Sequence, residues 1–341
     1  MADTKKEHYV PRCYLKNFAL QNEKIKVFDK FKMQVREQRI IEVAMENYFY
    51  DIKFEELMQK IEIDKQQKIK DDLQEIVGVD NWEEVLKILD EKHIEKSFSL
   101  LEGGYSELLQ ILINKSHDGN AWVMKNCFAF SEPEKSLMAL FVAIQQIRTK
   151  SFRETVSDTI TKTYQTLIYK NQMDDEDSLP KEAFECEANS DFIKLQHSSM
   201  ILDREIAVKI AETLCDHIWV MYVNKTDYPF YTSDNPVAII PHKVDKYVSY
   251  GGLKSEGVEI VFPISSNLLL AMYEKNTYNK LFTDRKFIVL KTKDEIDYFN
   301  CQQVYHSYRC VFSGKNNFEL AEEICKEQPQ LQEYQSHIEV S

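Results

Sequence analysis

The chain changes its hydrophobic period twice. From residue 8 to about 51 the apolar positions fit strands and turns. Lys24-Ile25-Lys26-Val27-Phe28-Asp29 alternates with period two, and Tyr48-Phe49-Tyr50 closes a second extended run. From about 53 to 115 the spacing becomes helical. Phe54, Leu57, Met58 and Ile61 share one face of a first helix. Trp82, Val85, Leu86, Ile88 and Leu89 mark a second, and Leu100 to Ile113 a third, which Gly103-Gly104 is expected to interrupt. Ser131-Glu132-Pro133-Glu134 combines an N-cap serine, a glutamate three residues on and a proline in the first turn. The helix it opens is predicted to run from Lys135 to about Lys170 as the longest in the chain. Residues 172–191 are acidic and irregular and read as a linker, and a further helix spans about Ser190 to Leu214.

Beyond that point the helical periodicity gives way to short apolar runs. Ile218–Val223, Val237–Ile240, Val258–Phe262, Leu268–Met272 and Cys310–Phe312 read as strands, with a short helix near Lys293 to His306 among them. The last 25 or so residues read as a surface helix and a frayed tail. Strands at both ends with helices between predict an α+β fold. The N-terminal strands join a C-terminal mixed or antiparallel sheet, with a central helical region between them. One large domain over 1–315 is expected, with its helical part at about 53–215 and a C-terminal helix and tail over 316–341.

Composition narrows the function classes. Lys and Arg number 43 against 56 Asp and Glu, a net charge of -13 that repels phosphate backbones and anionic membranes over long range. The chain has no apolar run of about 18 residues, and its first residues have no signal-peptide core, so a cytoplasmic protein without a membrane segment is expected. Seven scattered cysteines form no C-x-x-C pair, which argues against a zinc knuckle or a disulfide framework. With only 8 glycines, and neither a P-loop nor a G-x-G-x-x-G turn, nucleotide binding of those two kinds is set aside.

Three stretches hold candidate chemistry. Pro11 keeps His8-Tyr9-Val10 extended and places His8 where it can act as a general base, metal ligand or phosphate donor, while Tyr14, Leu15 and Phe18 supply apolar bulk. Ser233-Asp234-Asn235-Pro236 follows Phe230 and Tyr231. It is either a turn whose side chains bond backbone amides or a carboxylate held at a strand end for metal or substrate. In the long predicted helix, Gln145 and Arg148 flank the apolar face formed by Ala139, Leu140, Ala143, Ile144 and Ile147. An arginine there can grip an anion or pair with a buried acid such as Asp234. Glu55 and Glu62 share one face of the first helix, where carboxylates hold a metal or lie solvated.

These motifs, in this order, resemble the family called domain of unknown function 4238. The matching residues are His8, Pro11, Tyr14, Leu15 and Phe18; Gln145, Arg148 and Thr149; Thr232 to Pro236; and Phe262, Pro263 and Ser265. The likeness runs over about residues 8 to 313. One departure is Ser265-Ser266-Asn267, where the family more often has Ser-Pro and a basic residue. The resemblance implies a family-wide fold and attaches no activity to it.

From the residue types, the leading expectation is a hydrolase acting on a phosphate-containing small molecule or nucleic acid, as a metal-dependent nuclease or phosphodiesterase. His8 is the general acid or base, Arg148 stabilises phosphoryl charge, and Asp234 with Glu62 holds a divalent Mg or Mn ion. Gln145, Asn235 and Ser233 contact substrate. The alternative is a non-catalytic binding module for an anionic ligand or protein partner. A third reading is a structural polar network that ties the N-terminal strands to the C-terminal sheet.

Overall fold

The computed structural model describes residues 6–50, 58, 63–89, 91–117, 128–172, 186, 188–243, 245 and 248–334. The fold is α+β. Its strands are β1 (Lys6–His8), β2 (Lys24–Asp29), β3 (Gln34–Arg39), β4 (Met45–Asn47), β5 (Ile218–Asn224), β6 (Thr232–Ser233), β7 (Ala238–Pro241), β8 (Val258–Ser265), β9 (Leu268–Tyr273), β10 (Lys286–Leu290) and β11 (Cys310–Ser313).

They form three sheets. A five-stranded sheet runs β10-β5-β9-β8-β7, parallel only between β10 and β5. A four-stranded antiparallel sheet runs β3-β2-β11-β6, and β1 pairs with β4. Asp29 of β2 lies opposite Cys310 of β11, so the N-terminal strands do join the C-terminal part of the chain.

The five-stranded sheet is buried on both faces, and the period of two sorts its side chains. Trp219, Met221 and Val223 face the main core with Ile260, Phe262, Leu270 and Met272. Ile218, Val220 and Tyr222 face the opposite way, with Val261, Leu269, Ala271 and Tyr273, toward the Lys293–His306 helix. A register shift at Pro263–Ser265 lets a proline sit inside β8, where a regular ladder would demand an N–H donor.

Several helix boundaries differ from the sequence expectation, each for a local reason. The helix opened at Ser131 has the expected capping box: Ser131 N donates to Glu134 Oε2 at 2.7 Å, and Glu134 N donates back to Ser131 Oγ. It ends at Ile147, and a second helix starts at Lys150 and runs to Gln172. Thr149 Oγ1 accepts from Phe152 N and restarts the helix, while His197 Nε2 takes the carbonyl of Ile147 at 2.7 Å. The expected Ser190–Leu214 helix splits in the same way, because Asp203 caps a new helix at Arg204 by accepting from Glu205 N.

Gly103-Gly104 does not interrupt its helix, which spans Glu91–His117. The helix is held by packing instead, with Tyr105, Leu108, Leu109 and Leu112 buried in the main core. The helix at Trp82–Leu89, the five C-terminal strands and the helix at Lys293–His306 stand where the pattern put them. Tyr48-Phe49-Tyr50 follow a strand rather than form one, since β4 ends at Asn47. The stretch holding Phe54, Leu57 and Ile61, and most of the 172–191 segment, lie outside the described residues. No helix among the described residues is long and apolar enough to cross a membrane.

Candidate functional site

The three motifs do meet, with Tyr9 between them. Tyr9 is buried, its carbonyl accepts from Gln145 Nε2 at 3.2 Å, and its phenol is raised well above the ordinary range by burial and then by the charge of Asp234. What they build is packed rather than open. Arg148 caps the end of its helix and donates from one terminal nitrogen to the His8 carbonyl at 2.7 Å. The other terminal nitrogen pairs with Glu102 at 3.1 Å, and the guanidinium lies 4.1 Å from the Phe98 ring centroid. The acid that balances Arg148 is therefore Glu102, not Asp234. His8 is half-buried; burial and then the nearby Arg12 guanidinium hold its imidazole down to about 4, so the ring is neutral at pH 7.

Beside Arg148 lies a cavity of about 10 Å³ lined in part by Glu102, Tyr105 and Gln145. The Tyr105 hydroxyl, Gln145 Oε1 and Arg148 Nε have no hydrogen-bond partner. The volume suits about one water molecule, which such polar groups would hold.

Asp234 is 2% exposed and its carboxylate reaches no solvent. Its Oδ1 accepts from Tyr308 N at 2.8 Å, and its Oδ2 accepts from Arg309 N at 2.9 Å and Cys310 N at 2.7 Å. Asp234 N in turn donates to the Cys310 carbonyl. The residue thus fastens the turn between the Lys293–His306 helix and β11. Burial pushes its carboxyl up to about 6, while these N–H groups and the Lys30 ammonium pull the other way. Lys30 is itself buried and donates to the carbonyls of Val304 and Ser307, closing the C-terminal end of the same helix.

The neighbours of Asp234 are committed in the same manner. Ser233 Oγ donates to Gln303 Oε1 at 2.9 Å, and Asn235 Nδ2 donates to the His306 carbonyl at 2.8 Å. Thr232 Oγ1 meets the Tyr14 hydroxyl at 2.6 Å, joining the first motif to the second. Asn300 of the Lys293–His306 helix is buried, accepts from Tyr231 N and donates to the Pro229 carbonyl. Three of the roughly four lone-pair directions of the Asp234 carboxylate are filled by backbone donors. A metal ion there would have to displace them. Glu62, its expected partner, lies outside the described residues. No group of three or more His, Cys, Asp or Glu suited to a metal occurs among the described residues.

A larger opening lies on the other face of the five-stranded sheet. This cavity of about 510 Å³ sits between the sheet and the Lys293–His306 helix, with the 278–282 segment along its rim. Leu281, on that rim, is 71% exposed. Its walls are aromatic: Tyr273 stacks on Phe282 at 4.3 Å between centroids, and Tyr222 packs on Phe299 at 5.0 Å. The Tyr222 and Tyr273 hydroxyls meet at 2.9 Å.

Glu259 of β8 stands in this wall and is 3% exposed. Its Oε2 accepts from the Tyr298 hydroxyl at 2.6 Å and lies 2.8 Å from His242 Nε2, whereas its Oε1 has no hydrogen-bond partner. Burial and then the charge of Glu259 raise the phenols of Tyr273 and Tyr298 above their ordinary range. Sequence reading passed over this site because its residues come from β5, β7's end, β8, β9 and a late helix, with no shared motif. One signal was there: a glutamate in the otherwise apolar run Val258-Glu259-Ile260-Val261-Phe262.

A family model described as a protein of unknown function (DUF4238) matches residues 6–317. No curated protein and no solved structure matches the chain.

Proposed function

The chain belongs to the DUF4238 family, and on that footing we propose that it is a small-molecule-binding protein whose ligand occupies the cavity around Glu259. The observation that carries this reading is a 510 Å³ space with an almost completely buried carboxylate in its wall, one oxygen of which is unpartnered. That volume falls in the range of about 300–1,000 Å³ usual for ligand sites, and aromatic walls with a few polar groups are their usual lining. An unpaired buried charge costs stability, and such costs are commonly kept where binding needs them.

Hydrolysis of a phosphate ester at His8, Arg148 and Asp234, with Mg or Mn on Asp234 and Glu62, has less support. Arg148 spends both terminal nitrogens on Glu102 and the His8 carbonyl, and Asp234 spends its carboxylate on backbone N–H groups. These contacts favour the structural reading of the motif cluster. An anionic ligand at Arg148 would also meet Glu102 in a space of about 10 Å³.

The test is ligand-observed NMR with a panel of organic cations, neutral alcohols and phosphate monoesters. It compares the parent with Ile288→Trp, which fills the cavity from β10. At least one class should bind the parent and lose binding to the variant. No binding by any class, or equal binding to both proteins, overturns the proposal. Phosphate esters that bind both proteins alike would turn attention back to the motif cluster.

A further inference from the structure

We propose that the ligand of this cavity is an organic cation, a compact ammonium group carrying methyl or aryl substituents. The inference rests on the cavity reading above and adds the chemical class of the occupant. Six rings line the space: Tyr222, Tyr273, Tyr278, Tyr298, Phe282 and Phe299. Aromatic faces carry the negative side of the ring quadrupole and attract cations, most strongly in a desolvated setting.

The charges in the wall have the same sign. Glu259 and Glu295 line the cavity, and among the described residues neither lysine nor arginine does. His242 is the one basic group present, and its Nε2 is already turned to Glu259. Glu295 accepts from the backbone of Lys291 and Thr292 as the cap of its helix, so it adds negative field at the rim. Glu259 is the deeper charge. Its partners at Oε2 are a phenol and an imidazole, not a guanidinium or ammonium, the Tyr273 phenol stands nearby, and its Oε1 makes no hydrogen bond.

A cavity so built disfavours anions by direct repulsion. A neutral ligand would gain the apolar contact and leave the carboxylate uncompensated. A cation meets both demands, with its substituents on the rings and its charge opposite Glu259. Ring faces hold the substituents of the ammonium, and the field of the buried Glu259 carboxylate acts on its charge. The ring walls are also preset: Tyr273, Tyr278 and Phe282 pack on one another, with Tyr273 and Tyr278 centroids 5.1 Å apart. Binding therefore need not gather mobile side chains, which lowers its entropic cost.

The experiment is calorimetric titration with two probes of one shape and different charge, choline and 3,3-dimethyl-1-butanol. The parent should bind choline at least about tenfold more tightly than the alcohol, the scale of a desolvated cation–π site. Glu259→Gln should lose about tenfold toward choline and little toward the alcohol. Glu256→Gln removes an exposed carboxylate outside the cavity and should hold choline within about threefold of the parent. Thermal unfolding of both variants confirms that each is folded.

Equal binding of the two probes to the parent overturns the cation assignment. So does undiminished choline binding by Glu259→Gln, or a loss in Glu256→Gln as large as that in Glu259→Gln. If the alcohol binds as well as choline and Ile288→Trp blocks both, the cavity reading stands and only the cation assignment falls. If neither probe nor any other panel member binds, both fall.

Discussion

The turn at Asp234 and the cavity at Glu259 each bury a carboxylate, and they treat it in opposite ways. Asp234 is met by three backbone N–H groups from one short stretch, 308–310, with the Lys30 ammonium adding its field. Glu259 is met by two side chains from distant elements and keeps one oxygen unpartnered. The first arrangement is a folding device: it satisfies donors that a tight turn would otherwise bury bare. The second leaves an electrostatic demand inside an accessible space. Burial and a charged side chain are common to both, so neither marks function. What sets the Glu259 site apart is an unpartnered oxygen in the wall of a large cavity.

Substitutions should separate the two regions by what they damage. The largest effect is expected from Asp234→Asn, which turns an amide toward backbone N–H groups that need an acceptor. A loss of roughly 3–5 kcal/mol in unfolding free energy is expected, measured by urea denaturation. A loss below about 1 kcal/mol would mean that the turn is held by other contacts and would weaken the contrast.

The next effect is in pH dependence. His197 accepts from Arg153 Nε at Nδ1 and donates from Nε2 to the Ile147 carbonyl; burial and then the Arg153 charge hold it down to about 3. The unfolded chain takes up a proton below its ordinary 6.5 and the folded ring does not, so acidification between these values favours unfolding. At about pH 5 this amounts to 1.5 units at 1.36 kcal/mol each, or roughly 2 kcal/mol. Asp234 has the reverse sign, because its raised carboxyl gains stability as pH falls from about 6 toward 3.8. The readout is therefore the difference in slope between the parent and His197→Gln. Equal slopes would show that His197 is protonated in the fold.

The smallest effect should come from Glu259→Gln. Its oxygen can still accept from Tyr298 and His242, and no backbone donor is left bare. A stability change within about 1 kcal/mol of the parent, in either direction, is expected, read as a small Tm shift. A loss as large as that of Asp234→Asn would make Glu259 another structural anchor and erase the contrast.

The same difference explains what was legible in the sequence. Motifs reveal groups that act over short chain distances, and a turn needs its residues next to one another. Ser233, Asp234, Asn235 and Pro236 were therefore visible, as were the capping box at Ser131 and the five short apolar C-terminal strands. Their meaning was less visible, because Asp234 gains its partners from residues more than seventy positions away. Helix ends at Ile147 and Leu202 were missed since apolar spacing continues across them, while the caps Thr149 and Asp203 lie within the run. The continuous helix through Gly103-Gly104 shows burial of Tyr105, Leu108 and Leu109 in the main core overriding a local breaker. The cavity was invisible for the converse reason. Tyr222, His242, Glu259, Tyr273 and Tyr298 are neighbours only once the sheet has formed.

The pairing of β2 with β11 has a consequence in time. Asp29 and Cys310 are directly opposed across 281 positions, and the N–H groups that receive Asp234 belong to the same late segment. At a synthesis rate of about 5–20 residues per second, β2 emerges roughly 14–56 seconds before its partner exists. During that interval one side of the β2–β3 hairpin has no strand beside it. The helices between the two strands can form as they are made, but the four-stranded sheet waits for β11, the last strand among the described residues. The nascent chain thus carries an unpaired edge through most of its own translation, and its completion is gated by ribosome output and long-loop closure rather than by any local folding rate.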